Sequence, residues 1–313
     1  MEARTFAPPP DLADVVAALW TGRWDLRGQP PHTTELLGDP CLHVVVEDGD
    51  GGPDARVVGV WTRLWRRTLQ GRGRVLGVKL LPGAAGLFFA PPAHALSNRV
   101  TPLRDLMGDE SIALQRDVLT AGTDDAFARL CDGLRPRRRA DRAADASLAV
   151  ALVRAVTADT SITDVATLSV RAGLCERALQ RVFRAHVGAS PKWVIRRHRL
   201  QEAALRIERG EVRSLADLAA SLGYADQSHL ARDFKAAVGR SPRDFAAMLH
   251  PSPTRRAATT AGARTVRRRP PAPGPWAPRR GRIGAGCPCS RGGCRAARGA
   301  RRDRPLPGTG RSG

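Results

Sequence analysis

Arg177, Gln180, Arg181 and Arg184 fall within one short segment, and Gln227, Ser228, Arg232 and Lys235 within another. These side chains carry the donors and acceptors that meet nucleobase edges and phosphates. Arginine donates two parallel bonds to guanine O6 and N7, and glutamine pairs in the same way with adenine. Arginine and lysine also hold phosphate oxygens, which position a duplex without reporting its sequence. Arg177, Gln180, Arg181, Gln227, Ser228 and Arg232 are therefore candidates for base contact, and Arg184 and Lys235 for phosphate contact. The plainer alternative is a solvated face on which Arg181 and Arg232 make surface ion pairs, with Glu176 or Asp233.

The elements that must position these groups are written twice. Leu179, Arg181, Phe183, Gly188, Ser190 and Pro191 return as Leu230, Arg232, Phe234, Gly239, Ser241 and Pro242, every pair 51 residues apart. A repeat of this kind is one supersecondary module used twice. In the first copy a short apolar segment (Leu168–Ala172) meets Gly173, and a second helix follows from Glu176; in the second, Leu218-Ala219 leads to Gly223-Tyr224. Both have the layout of a helix-turn-helix. Leu179, Val182, Phe183 and Val187, then Leu230, Phe234 and Val238, form the buried stripes. The leading leucine precedes the stripe leucine by 11 residues in one copy and 12 in the other, which places one extra residue in the second turn. Gly188-Ala-Ser-Pro191 and Gly239-Arg-Ser-Pro242 each end a helix at glycine and start another at Ser-Pro. The helix from Pro191 runs to a stop at Gly210 and joins the modules rigidly.

The phrases Leu179-Gln180-Arg181-Val182-Phe183 and Gly223-Tyr-Ala-Asp-Gln-Ser-His-Leu-Ala-Arg-Asp-Phe234, with Gly239-x-Ser-Pro242 and Phe245, resemble the AraC/XylS (arabinose-regulator) family of transcription regulators. The resemblance spans about residues 146–250. It implies a DNA-binding domain with two helix-turn-helix units, 164–187 and 214–238, each placing its second helix in the major groove. Cys175 departs from the family pattern, which has serine at the start of that helix; a thiol caps poorly, and a small buried thiol is its simplest role. The expected partners are double-stranded DNA and RNA polymerase, with a small-molecule effector and a second copy of the chain beside them.

Charge is distributed unevenly. Residues 1–150 hold 19 basic and 19 acidic side chains, 151–250 hold 16 and 10, and 251–313 hold 16 and 1, within a net charge of +21. High basicity marks a nucleic-acid surface only where it maps to the binding domain, so the repeat carries the inference. The six cysteines are too scattered in the folded part for a disulfide framework, no secretory leader is expected from Met1–Pro10, and no apolar run nears the ~20 residues of a membrane span. A cytoplasmic protein with reduced thiols is expected.

The fold class is α+β. Residues 1–134 are expected to form a β-rich sensor or dimerisation domain, a small barrel or sandwich with helices. Strand-like runs lie at Cys41–Glu47, Arg56–Trp65 and Arg74–Leu81, punctuated by Gly and Pro. Trp24-Asp-Leu-Arg-Gly28 and Gly77-Val-Lys-Leu-Leu-Pro-Gly83 resemble an N-terminal domain of some family members, which is cupin-like. His32, Glu35, His43 and Glu47 lack the His-x-His spacing of a cupin metal site, so no metal or cofactor is expected; His43 reads as a strand residue and Glu47 as solvent-facing. Trp61, Trp65, Phe88 and Phe89 are candidates to line an effector pocket or simply to fill the core. Helical patterns from Thr101 to Leu134 brace the barrel or form a dimer interface. Residues 135–145 read as an exposed basic linker, and the DNA-binding domain (146–250) follows as an all-α unit.

Residues 251–313 are rich in Arg, Pro, Gly and Ala and read as a disordered tail. Cys287, Cys289 and Cys294 offer too few ligands at the wrong spacing for zinc. Two functions compete with sequence-specific regulation. One is a cupin-like enzyme, metal-dependent or not, with a DNA-docking appendage, although no nucleophile elbow, phosphate loop or paired carboxylates support it. The other is an architectural DNA binder driven by the tail.

Overall fold

The computed structural model describes residues 1–249. Eight strands open the chain: β1 (Glu2–Phe6), β2 (Val16–Asp25), β3 (His32–Leu37), β4 (His43–Gly49), β5 (Gly52–Val58), β6 (Leu64–Leu69), β7 (Arg72–Leu80) and β8 (Val100–Pro102). Six of them make an antiparallel sheet in the order β1-β2-β7-β4-β5-β8, and β3 pairs with β6 as a separate ribbon. The sheet has free edges at β1 and β8, so the expected barrel does not close. β3 and β6, which lie between paired strands in sequence, leave the main sheet and pair with each other.

Strand alternation sends successive side chains to opposite faces, and both faces here are used. Val44, Val46, Val57, Leu76, Val78 and Leu80 enter the main core, whereas Val45, Val58 and Val75 pack with Trp24 in a smaller cluster. Trp61 and Leu69 cover that second cluster. Glu47 lies on the same side, paired with Arg56 (2.6 Å) and Arg67, its side chain 12% exposed. It is therefore an inward partner of two arginines, not the solvent-facing residue its polarity suggests.

Helices follow: α1 (Ala85–Phe88), α2 (Leu103–Met107), α3 (Glu110–Thr120) and α4 (Thr123–Leu134). Residues 135–142 form two short turns strapped to the preceding domain. Arg135 pairs with Asp11 (2.7 Å), Arg137 with Glu110 (2.6 Å) and Arg138 with Asp14. These arginines thus face carboxylates.

The rest is helical: α5 (Ala143–Ala158), α6 (Val165–Ala172), α7 (Glu176–Val182) continued by a π-helical turn (Phe183–Val187), α8 (Pro191–Glu208), α9 (Leu215–Ser221), α10 (Gln227–Val238) and α11 (Pro242–Leu249). Several of their starts carry side-chain caps, those of α5 and α7 being exceptions. Asp164 accepts from the Thr167 amide (2.7 Å), Ser190 from Trp193 (3.2 Å), and Asp226 from His229 (2.7 Å). Each such cap is worth about 1 kcal/mol.

Two apolar cores hold this half, and they are not alike. Leu168, Leu179, Phe183, Val187, Val194 and Ile195 belong to the same core as the sheet residues. Leu200, Ala203, Ala204, Ile207, Leu218, Leu230 and Phe234 form a second core of their own. The division falls within α8, between Ile195 and Leu200. Phe183 and Phe234 are fully buried, and truncating either to alanine should cost about 3–5 kcal/mol. No helix among the described residues is long and apolar enough to cross a membrane. The expected tail, with Cys287, Cys289 and Cys294, lies outside the described residues.

Candidate nucleic-acid interface

Each module is two helices joined through a left-handed glycine. Gly173 (φ +63°) ends α6 and Gly223 (φ +70°) follows α9. The next helix begins after Cys175 in the first module and after Asp226 in the second. Glycine and cap are two residues apart in one and three in the other, which locates the extra residue of the second copy between them. Cys175 is exposed, and its side chain caps nothing. The small buried thiol expected there is thus corrected: a cap position holds its side chain outside the helix, away from the core.

With Leu179 and Phe183 buried behind α7, and Leu230 and Phe234 behind α10, the opposite faces are open. Arg177, Gln180, Arg181 and Arg184 are all exposed, as are Gln227, Ser228, Arg232 and Lys235. Neither Arg181 nor Arg232 has an ion pair among the described residues. Asp233, one of the acids considered for them, is taken by Arg196 (2.7 Å) with His229 at 3.8 Å. Arg232 contributes only a longer-range field that helps hold the Asp226 carboxyl below its usual range, after the His229 amide bond that dominates.

The first module is gripped from the sheet side at the end of its second helix. His186, 7% exposed, lies against Gly86 of α1, and its Nε2 is 3.9 Å from the Asp145 carboxylate. Ser97 donates to the Gly188 carbonyl (2.6 Å), and the His94 ring nitrogen lies 3.2 Å from the Arg184 carbonyl. A cavity of about 190 Å³ at this joint is lined by Ala90, Pro92, Arg142, Asp145, Ala185 and His186. The joint has no signature in residue spacing, because its residues are single polar groups far apart in the chain.

The four aromatic residues considered for an effector pocket do not meet. Phe88 and Phe89 fill the main core, while Trp61 packs on the opposite cluster with Trp65 at 6.3 Å. The four metal-ligand candidates are likewise dispersed. His32 is exposed, Glu35 pairs with Arg66, His43 accepts from the Trp20 indole (3.1 Å), and Glu47 holds its two arginines.

Two paired-helix modules, each with a buried apolar stripe and an exposed cationic face and joined by one continuous helix, define a tandem helix-turn-helix DNA-binding domain. Residues 168–248 match the family described as Helix-turn-helix domain, and residues 4–102 match a Domain of unknown function, DUF6597. The helix-turn-helix match covers about a quarter of the chain. Among solved structures the chain is similar to ToxT from Vibrio cholerae O395, with 11% identity, a TM-score of 0.36, and coverage of 74% of this chain and 97% of that one. The unsaturated-fatty-acid-bound wild-type ToxT from V. cholerae strain SCE256 gives 12%, 0.37, 75% and 96%. These likenesses are loose. No curated protein matches the chain.

Proposed function

We propose that α7 and α10 read two consecutive major-groove segments on one face of a duplex. Arg177, Gln180 and Arg181 meet base edges in one box and Gln227, Ser228 and Arg232 in the other, while Arg184 and Lys235 hold phosphates. The observation that carries this reading is the exposure of all eight side chains on faces whose reverse sides are buried, with Arg181 and Arg232 free of ion pairs among the described residues. α8, at 18 residues, is roughly 27 Å long, which suits groove segments about 10 bp apart. The two faces differ in residue type, so the operator is two unlike boxes without dyad symmetry.

The N-terminal domain acts as the sensor for a small effector in this reading. A change in the sheet domain reaches DNA through the joint at Arg184–Gly188, which holds the end of the first reading helix. RNA polymerase and a second copy of the chain complete the expected partners. Selection of bound sites from random DNA with the full chain tests the proposal. A two-box motif is expected, with Arg181→Ala losing preference at one position of one box. A motif with a single box, or one untouched by Arg181→Ala and Arg232→Ala, would overturn it.

A further inference from the structure

Arg199 lies on α8 where the two apolar cores change over, next to Leu200 of the second. Its guanidinium is shared between the two modules. Nη1 donates to the carbonyl of Thr163 (3.4 Å), immediately ahead of Asp164, the cap of α6. Its Cζ stands 3.8 Å from the ring centroid of Tyr224, in the turn of the second module. The modules also touch directly at this point: a Cβ on Gly223 would come within 2.5 Å of Thr163 Cγ2. Gly223 combines that closeness with a left-handed backbone, so glycine is needed there for two separate reasons.

We propose that Arg199 is a positioning residue that sets the rotational phase between the two reading helices, and with it the spacing of the two boxes the protein accepts. The inference rests on the two-groove reading above. α8 fixes the distance between modules, but a helix alone leaves each module free to pivot about its packing. A contact that ties the start of α6 to the turn before α10 removes that freedom. Arginine suits the position because a planar cation can stack on a ring and donate in its own plane at once; lysine cannot do both. Arg196, one turn earlier, adds a second tie through Asp233 on α10.

The test uses the full chain and an operator duplex recovered by selection, with variants carrying one base pair more or fewer between the boxes. One base pair turns the second box by roughly 34–36° about the helix axis. The parent protein should prefer its own spacing at least tenfold. Arg199→Met, which keeps the stem and loses the planar head, should flatten that preference to within about threefold while leaving binding to a duplex holding the first box alone unchanged. Tyr224→Leu, which removes the stacking face, should flatten it as well, so the inference does not depend on one variant folding. A merely structural role would lower thermal stability and weaken every duplex in proportion, with the spacing ratio preserved, and that result would overturn the proposal. A parent protein indifferent to spacing would instead overturn the two-groove reading on which it stands.

Discussion

His186 Nδ1 lies so close to Gly86 that a methyl group on that glycine would approach it to 2.8 Å. The contact joins the sheet domain to the π-helical turn that continues α7, and it leaves no room for a larger residue. Gly86→Ala should therefore lower the unfolding free energy by about 1–3 kcal/mol, the usual cost of overpacking. Denaturant titration checks it, and a loss below about 0.5 kcal/mol would show the joint to be slack.

Acid should loosen the same joint. Burial holds the His186 imidazole below its ordinary 6.5, with Arg142 adding to the effect and Asp145 opposing it. His198 is likewise lowered by burial against the pull of Glu202. A base with a depressed folded value takes up its proton more readily when unfolded, so the stability it contributes is complete above pH 6.5 and declines as pH falls below. Unfolding measured from about pH 7.5 down to about 5.5 should show this decline, and His186→Gln should reduce it. Identical slopes in parent and variant would remove His186 from the account.

At the alkaline end Tyr224, the chain's single tyrosine, provides a private signal. Burial pushes its phenol up from 10.0 to about 12; Asp233 adds to the rise, and Arg199 and Arg196 oppose it. Phenolate absorbance should appear with a midpoint near 12 in the folded protein and near the ordinary ~10 in denaturant. The sign for an acid raised on folding is that its stabilisation is full below pH 10 and is lost as pH climbs towards 12. Equal midpoints in both states would mean that Tyr224 is solvated.

Arg181→Ala and Arg232→Ala should each weaken operator binding by about 1–3 kcal/mol and relax one base position. Arg184→Ala and Lys235→Ala should weaken all sequences alike and reduce the salt slope by about one. Binding measured against operator variants and at several salt concentrations separates the two groups.

Thiol accessibility gives an independent check of the first module. Cys175 is exposed, whereas Cys41 and Cys131 are buried and burial raises both thiols. Brief alkylation of the native chain followed by peptide mapping should modify Cys175 and spare the other two. Labelling at Cys41 would contradict the packing of β4.

The repeat was legible because a buried leucine and phenylalanine at helical spacing, followed by Gly-x-Ser-Pro, are local signals. β2 has no clear sequence signal despite its ten residues; Val16-Ala-Ala-Leu-Trp reads equally well as helix. The run Arg56–Trp65 reads as one strand but belongs to two, parted at Gly59, where the Leu96 carbonyl sits so close that a Cβ would clash at 1.7 Å. Such an approach is non-local and leaves no mark on neighbouring residue types. The same holds for the open sheet, whose strand order depends on which distant segments pair. Phe88 and Trp61 looked equivalent as aromatics, and only the two-sided sheet separates them.

The shared core has a practical corollary for anyone cutting the chain. Scissors placed at residue 140 would carry off Leu168, Phe183 and Val187 while leaving behind α1, against which α5 and the π turn rest. The leading half of such a fragment would emerge with a raw apolar flank, whereas its trailing half would keep a complete interior. The helix-turn-helix pair is therefore not a self-sufficient unit, and, on the two-groove proposal, footprints of the severed piece would report its second module more faithfully than its first.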